Sequence, residues 1–563
     1  MALENLNRFV MNPISLDISR SKFNRNFTHK TTFKSGKLIP LFIDEVLPGD
    51  TFDVSWSSVI RMLTPAVPVM DNAFFDMYFF FVPYRLCTYG ALDWQKVQGE
   101  NVSGYWAPNS ETTLVNTSNT FVLNGRTIKA GSEANYFGLP IGTNFANSYS
   151  NLPISLMPFN ALIRIWNEWF RDQNTQAPKG LLYGGSSGIS EHLTDCMPVN
   201  KLHDYFTSSL PAPQKGGSVM LPLGGTAPLM IGADYAINVA DGADSSLHFQ
   251  NRDSAGHFTT PPASAAMGLG SETSGSSRRL SHGAASTFSS SGTLVPTNLY
   301  ADLANATAAS VNEIRQAFAV QRLLEKDARG GTRYREMLKA HFGVTIPDLT
   351  IQVPEYLGGK RIPLNITQVL QTSETSNNSP LGATGAFSNT SCADRGFIKS
   401  FNEYGYIIGV GCVRTEQSYS QGIPKLFTKV RRLDNYLPAL ANIGEQPIYT
   451  RELYAATGAS ASDLTSVFGY QEAWADYRYH PSLVTGNLAP NANDATLTAW
   501  TYTNKFVAAP VLNSSFMQQP SSQIGDTLVV TNTDNQFVAD FYFKCKTTRP
   551  MPVYSIPGLI DHH

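Results

Sequence analysis

The sequence predicts a mainly β protein, an antiparallel sandwich with long inserted loops and a few helices. Three observations predict it. Runs with period-two alternation recur at widely separated places in the chain. Between them lie helical and loop excursions instead of a regular strand–helix alternation. One run, DNAFFDMYFFFVPYRL at 71–86, crowds Phe74, Phe75, Tyr78, Phe79, Phe80, Phe81 and Tyr84 together, and between Phe74 and Tyr84 only Asp76 breaks its apolar character.

The first 37 residues read as extended and poor in regular pattern. Residues 38–56 carry the first β signal. LIPLFIDEVL runs into Pro48-Gly49-Asp50, where Pro fixes φ and Gly permits a left-handed turn. TFDVSWS then alternates, with Phe52, Val54 and Trp56 on one face and Thr51, Asp53 and Ser55 on the other. The aromatic run is the next strand. It is too short to cross a bilayer, which takes about 20 apolar residues as a helix, and Pro83 stops it. The unbroken stretch Met77–Val82 suits a strand covered on both faces. No other stretch is long enough to span a bilayer, so no membrane insertion is expected.

PFNALIRIWNEWFRD places Leu162, Ile165, Trp166, Trp169 and Phe170 on one helical stripe. Ser310 and Glu313 read as a capping box opening a helix through Leu324, stopped by Gly330-Gly331. A second helix is expected to about Phe342, with Gly343 as its C-cap. In YGYIIGVGCVR, Tyr406, Ile408, Val410 and Cys412 share one face and Gly405, Gly409 and Gly411 the other. A glycine face lets bulky rings or another backbone approach closely. TLVVTNTDNQFVADFYFKCK reads as a hairpin with Phe537, Ala539, Phe541, Phe543 and Cys545 on its buried side.

At 563 residues, a prior of about 150 residues per domain suggests three or four domains, with one sandwich bearing long insertions as the allowed exception. We divide the chain into a basic N-terminal arm (1–37), the first part of the sandwich (38–215), a Gly/Ser-rich surface insertion (216–293) and a remainder holding helices and the last strands (294–563). The insertion, exemplified by GLGSETSGSSRRLSHGAASTFSSSG, lacks the apolar content for a core of its own. It reads as a flexible linker or, preferred for its length, as a surface protrusion ordered by neighbouring subunits.

The formal net charge of −2 creates no global field for polyanions or membranes. Charged residues are 15% of the chain, against roughly 25% in typical soluble domains, while apolar content is ordinary. Such a balance fits a surface largely covered by other subunits, or a secreted or Ser/Thr/Asn-rich β protein. Cys87, Cys196, Cys392, Cys412 and Cys545 are scattered and odd in number, which argues against a disulfide scaffold and for a reducing compartment. The opening MALENLNRFVMNPISL lacks a basic stretch followed by an apolar one, so no secretory leader is expected.

No constellation supports catalysis. Gly184–Gly188 matches G-x-S-x-G, but Leu181-Leu182-Tyr183 is a poor strand to precede a nucleophile elbow. His192, Asp195, Cys196, His203 and Asp204 cluster in sequence without a zinc spacing and read as a satisfied loop network. No phosphate-binding glycine loop occurs. We therefore expect no enzyme, no cofactor and no metal. The competing reading is a monomeric β-sandwich carbohydrate-binding protein or glycan hydrolase, with rings stacking on sugars and a carboxylate pair such as Glu472 and Asp476.

One local pattern points to a ligand. ISRSKFNRNFTHKTTFKSGKL carries Arg20, Lys22, Arg25, Lys30, Lys34 and Lys37 with no acid, interleaved with Phe23, Phe27 and Phe33. Cations that track phosphates and rings that stack on bases are the combination used for single-stranded nucleic acid. A solvated arm, or rings packing on the sandwich, would read the same way. Lys425, Lys429, Arg431 and Arg432 form a second, less specific basic cluster.

Three of these stretches, SRSKFNRNFTHKTTFKSGKLIPLFIDEVLPGDTF, TPAVPVMDNAFFDMYFFFVPYRL and FGYQEAWADYRYHPSLVTGNL (468–488), resemble the major capsid proteins of gokushoviruses, phages of the microvirus group. The resemblance runs in the same order from residue 19 to 488 and leaves the middle region unmatched. It implies a jelly-roll sandwich assembled with copies of itself into a small icosahedral shell around circular single-stranded DNA. It also implies a virion protein assembled in bacterial cytoplasm, a variable insertion forming host-contacting protrusions, and scaffolding and minor virion proteins as candidate partners. The host receptor is not indicated. On this reading Phe74, Phe75, Tyr78, Phe79, Phe80 and Phe81 fill the core on one face and meet inserted elements or a neighbouring subunit on the other.

Overall fold

The computed structural model describes residues 19–87, 120–184, 188–219, 311–348, 352–373, 384–455, 459–490, 497–530 and 535–554, with a few single residues and short strands between and around them. The chain divides into two compact units, Met1–Lys215 with Glu325–His563, and Gly216–Leu324. In the second unit, short antiparallel ladders include Leu269–Ser274 against Ser277–His282.

The first unit is built on two antiparallel sheets. We number its strands β1 (Ser21–Asn24), β2 (Phe27–Phe33), β3 (Ile39–Val46), β4 (Thr51–Met62), β5 (Ala73–Pro83), β6 (Glu355–Pro363), β7 (Thr390–Ser400), β8 (Gly405–Thr415) and β9 (Phe537–Arg549). One sheet runs β1–β9–β4–β7, with β2 following β1 along the same edge of β9; the other runs β6–β5–β8–β3. The partners are hundreds of residues apart, as the scattered alternating runs imply. The expected antiparallel sandwich is what the chain forms.

Alternation decides what lies between the sheets. Phe52, Val54 and Trp56 of β4 and Phe537, Phe541, Phe543 and Cys545 of β9 point inward and meet Phe75, Met77, Phe79 and Phe81 of β5. The glycine face of β8 makes this possible. A Cβ on Gly409 would lie 2.9 Å from a ring carbon of Phe79 and from Cβ of Phe42, and one on Gly411 2.9 Å from the Phe75 ring.

The aromatic strand is covered on both sides, and the second cover comes from this same chain. Phe80 and Val82 join Tyr406, Ile408, Val410 and Cys412 on the outer face of the β6–β5–β8–β3 sheet. Helix α1 (Met157–Ile165) and the wider turn Trp166–Phe170 lie over them. The Phe80 ring sits 5.4 Å from Trp169 and 6.1 Å from Phe170. Tyr78 lies 5.9 Å from Phe170, and Phe74 carries the Arg361 guanidinium at 5.5 Å. The stripe Leu162, Ile165, Trp166, Trp169 and Phe170 is the packing face, as the spacing predicts.

Helices α2 (Val311–Arg329) and α3 (Tyr334–Phe342) follow, the latter closed by Gly343 in the left-handed conformation at φ 71°. Ser310, read as the N-cap of α2, lies outside the described residues.

Two expectations need correction. The pattern of 527–546 predicts a hairpin, but among its described residues only those of Phe537–Arg549 form a strand. Both edges of β9 are already taken, by β4 and by β1 with β2. Leu528 instead makes a single bridge to Pro65, and the Thr527 hydroxyl closes a short helix by donating to Ile524 O. The segment 1–37, read as an extended arm, is for residues 21–33 an integral edge of the sheet, with Phe27–Phe33 paired residue by residue to Phe543–Phe537. Its alternation was masked by lysines and threonines on the outward positions.

Candidate nucleic-acid interface and assembly surface

Pairing sorts the basic N-terminal residues into separate places. Lys22 and Lys30 lie opposite Thr548 and Asp540 of β9, so they share its outer face. On that face β9 adds Tyr542, Lys544 and Lys546, and β4 adds Arg61. The carboxylates among them are Asp53 and Asp540, the latter 4.0 Å from the Lys30 ammonium. The result is a predominantly cationic, hydroxyl-rich sheet surface. Lys544, Lys546 and Arg61 escape a reading of the N-terminal segment alone. Their signal was the alternation that turns Phe541, Phe543 and Cys545 inward.

The other cations are engaged elsewhere. Arg25 donates from Nη1 to both oxygens of Asp44, at 2.8 and 2.6 Å. Arg549 approaches Asp44 and Asp50 from the other side, 3.1 Å from Asp50. Arg20 reaches over Gly49 and is exposed. Lys37 donates to Asp195 at 2.5 Å and to Cys196 O at 3.0 Å, and Lys34 adds its charge to the same carboxylate. Burial is the strongest single influence and works to raise the Asp195 carboxyl, but the Lys37 hydrogen bond, the Cys196 N–H and the charges of Lys37 and Lys34 together outweigh it and hold the group below its ordinary range.

The rings of the segment pack against the sandwich, with Phe33 buried and Phe27 left 38% exposed. Phe27 stacks on Phe543 at 5.2 Å and on Phe42 at 5.7 Å. Phe33 stacks on Phe537, and Phe23 is half-buried opposite Thr547. Cations and rings therefore do not form one mixed surface.

The His/Cys/Asp group is a hydrogen-bonded loop network. His192 shares a 2.5 Å hydrogen bond with Glu133, and Cys196 donates to Gly131 O. Asp204 accepts from the Thr207 hydroxyl and from Tyr419 OH. Among the described residues no group of three or more His, Cys, Asp or Glu could hold a metal ion. Residues 185–187 of the G-x-S-x-G match lie outside the described residues, and 181–183 form no strand. Glu472 pairs with Arg478, and Asp476 with Lys425 and Lys429, so each carboxylate considered for sugar chemistry is held in an ion pair.

A second surface lies between residues 423 and 443. The segment is three single-turn helices, Lys425–Thr428, Arg432–Asp434 and Pro438–Leu440, none long enough to tuck an apolar face beneath itself. Leu426, Phe427 and Val430 are 72%, 73% and 84% exposed, with Leu433, Tyr436 and Ile443 beside them in sequence. The backbone is nevertheless pinned: Trp474 donates from its indole to Leu440 O at 2.8 Å, and Lys429 lies 3.7 Å from the Tyr477 ring centroid. A fixed loop presenting so many apolar side chains to solvent is a candidate contact surface.

Comparison with known proteins decides between the readings. A family model described as "Capsid protein (F protein)" matches residues 14–559. The chain belongs to this phage capsid-protein family. Capsid protein VP1 of Bdellovibrio phage phiMH2K is 38% identical, covering 97% of this chain and 96% of its own. Capsid protein VP1 of Chlamydia phage 1 is 33% identical over 98% of both chains, and that of Spiroplasma virus 4 34% identical over 96% of both. This capsid protein is accordingly a structural virion component and not an enzyme, and the carbohydrate reading finds no support.

Proposed function

We propose that this capsid protein assembles with copies of itself into a small icosahedral shell enclosing a circular single-stranded DNA phage genome, in the cytoplasm of a bacterial host. The observation that carries the reading is the exposed, pinned apolar loop 423–443. Burial between subunits would remove Leu426, Phe427, Val430 and Leu433 from water, each worth roughly 1.5–3 kcal/mol if fully buried. The low charge content agrees, since charged residues are depleted at interface cores.

The cationic sheet face formed by Lys22, Lys30, Arg61, Lys544 and Lys546 is the surface we assign to the DNA backbone. Weak contacts of this kind sum when a shell displays them in many copies. The Gly/Ser-rich stretch 216–293 is the candidate host-contacting protrusion, and scaffolding and minor virion proteins are candidate partners during assembly.

The test is size-exclusion chromatography with negative-stain microscopy of the full chain. It is made alongside a variant carrying Leu426→Asp, Phe427→Asp and Val430→Asp. The expected result is particles from the parent and folded, unassembled subunits from the variant, with nuclease-protected single-stranded DNA only in the former. Normal particles from the variant, or a parent chain that stays solitary at high concentration, would overturn the reading.

A further inference from the structure

Lys201 is 4% exposed, yet among the described residues its ammonium has neither a carboxylate nor a hydrogen-bond acceptor as partner. It sits 4.4 Å above the centre of the Phe516 ring. The backbone before it is fixed by the Lys201 N–H donating to Met517 O. The nearest candidate counter-charge, Asp204, is committed: one oxygen accepts from the Thr207 hydroxyl and two backbone N–H groups, the other from Tyr419 OH.

Native proteins rarely leave a buried lysine unpaired, because its charge is costly away from water. Burial pushes the Lys201 ammonium down to about 8. An arrangement that offsets this cost with one aromatic ring and no anion invites an anion from outside.

The lysine lines a cleft of about 450 Å³, within the size range of small-ligand sites, roughly 300–1,000 Å³. Its walls are chemically mixed. Phe506 and Phe516 are stacked with centroids 6.2 Å apart. Thr501 and Thr503 supply hydroxyls, and Lys505 stands exposed at the mouth with Asp526 at the rim.

From this geometry we infer that the cleft binds a nucleotide, its phosphate meeting Lys201 and its base stacking on the part-exposed Phe506 ring, which the buried Phe516 ring backs from behind. Lysine serves phosphate as a point charge, and aromatic walls accept any base by stacking. A bare carboxylate or a free phosphate would use the ammonium and leave the rings unused. In a shell around single-stranded DNA, the nucleotide is one unit of the enclosed strand. That last step rests on the function proposed above; the chemistry of the cleft does not.

Isothermal titration of the full chain with thymidine 5′-monophosphate, thymidine and inorganic phosphate tests the inference. The monophosphate should bind, and thymidine and phosphate each more weakly. Lys201→Met should weaken the monophosphate by roughly ten-fold or more, the loss expected for one charge-assisted hydrogen bond. Because it replaces an unpaired buried charge with an isosteric apolar chain, it should leave the subunit at least as stable. Lys505→Ala, at the exposed mouth, should weaken binding by a smaller factor and provides a second variant that folding cannot confound. Inorganic phosphate or acetate binding as tightly as the monophosphate, no binding of the monophosphate, or unchanged affinity in Lys201→Met would each overturn the inference. Particles empty of DNA, from subunits that still bind the monophosphate, would instead refute encapsidation and leave the cleft standing.

Discussion

Arg414 donates from Nε to Oδ2 of Asp76 at 2.9 Å, reaching diagonally across neighbouring strands to a carboxylate that is fully buried. The register explains it: Cys412 lies opposite Asp76 on one side, and Arg361 lies directly opposite on the other, donating from Nε to Oδ1 at 2.7 Å. The one acidic residue between Phe74 and Tyr84 is thus the anchor of an arginine pair held across three neighbouring strands. Removing one partner of a buried ion pair costs far more than the pair itself contributes. Asp76→Asn should therefore destabilise the subunit by about 3 kcal/mol or more. Arg361→Ala, whose side chain is 44% exposed, should cost about 1 kcal/mol. Urea unfolding of unassembled subunits measures both, and equal costs would show that Arg414 tolerates isolation.

The glycine face of β8 makes a graded prediction. A methyl on Gly405 would meet the Phe81 ring at 2.4 Å and the Val82 carbonyl at 2.6 Å, and backbone cannot retreat. A methyl on Gly409 meets only side chains, at 2.9–3.0 Å. Overpacking a filled core costs about 1–3 kcal/mol. Gly405→Ala should lie at or above the top of that range and Gly409→Ala below it. Gly385→Ala, with its nearest neighbour at 3.9 Å, should be close to neutral. Thermal unfolding midpoints give the ranking.

Phe80 tests where the cover over the second face comes from. Its ring packs on Trp169 of the same chain, so Phe80→Ala should destabilise the solitary subunit by about 3–5 kcal/mol. A double-mutant cycle with Trp169→Ala should return a coupling of about 0.5–1.5 kcal/mol. A Phe80→Ala subunit of unaltered stability that fails only in assembly would place the cover on a neighbour instead.

How much of this was legible varied with the range of the signal. Local periodicity reports which side of an element is buried, so the faces of β4, β8 and β9 and the stripe Leu162–Phe170 were readable. It does not report what fills the other side, and the sequence alone left open whether a second copy or α1 covers Phe80. Nor could it separate the cations of 20–37, because Arg25 and Lys37 are claimed by Asp44 and Asp195, partners supplied by other strands and loops. Lys544 and Lys546 join Lys22 only through a pairing that spans most of the chain. The hairpin misreading has the same root: an apolar run such as Leu528–Val530 becomes a strand only where a sheet edge is free.

This sorting sharpens the DNA prediction. Reversing Arg25 would set a carboxylate against Asp44 and damage the fold, so reversal of the N-terminal cluster confounds binding with folding. Replacing Lys22, Lys30, Lys544 and Lys546 by Gln alters only the outer face. If each lysine neutralises one phosphate, the slope of log affinity against log salt for single-stranded DNA should become shallower by roughly 0.7 per lysine lost. Packaged DNA should fall while subunit unfolding is unchanged. An unaltered slope would assign the genome to another surface.

Lys201 yields a pH dependence whose sign follows from its surroundings. Burial lowers its ammonium from the ordinary 10.5 to about 8, while the charge of Asp204 pulls weakly the other way. Between those two values the unfolded chain holds a proton that the folded chain has released. Stability then rises with pH across that window and is lost again as pH falls through about 8. Methionine cannot titrate, so Lys201→Met should abolish this part of the slope. The variant's advantage over the parent should be greatest below pH 8 and shrink steadily toward pH 10, where the buried tyrosines Tyr419 and Tyr502, common to both chains, cancel in the difference. Paired urea titrations at pH 7, 8, 9 and 10 read it directly. Parallel stability curves would mean that the ammonium is already neutralised by a partner in solution, which is the outcome expected if a phosphate co-purifies in the cleft, and adding thymidine 5′-monophosphate to stripped subunits should then convert diverging curves into parallel ones.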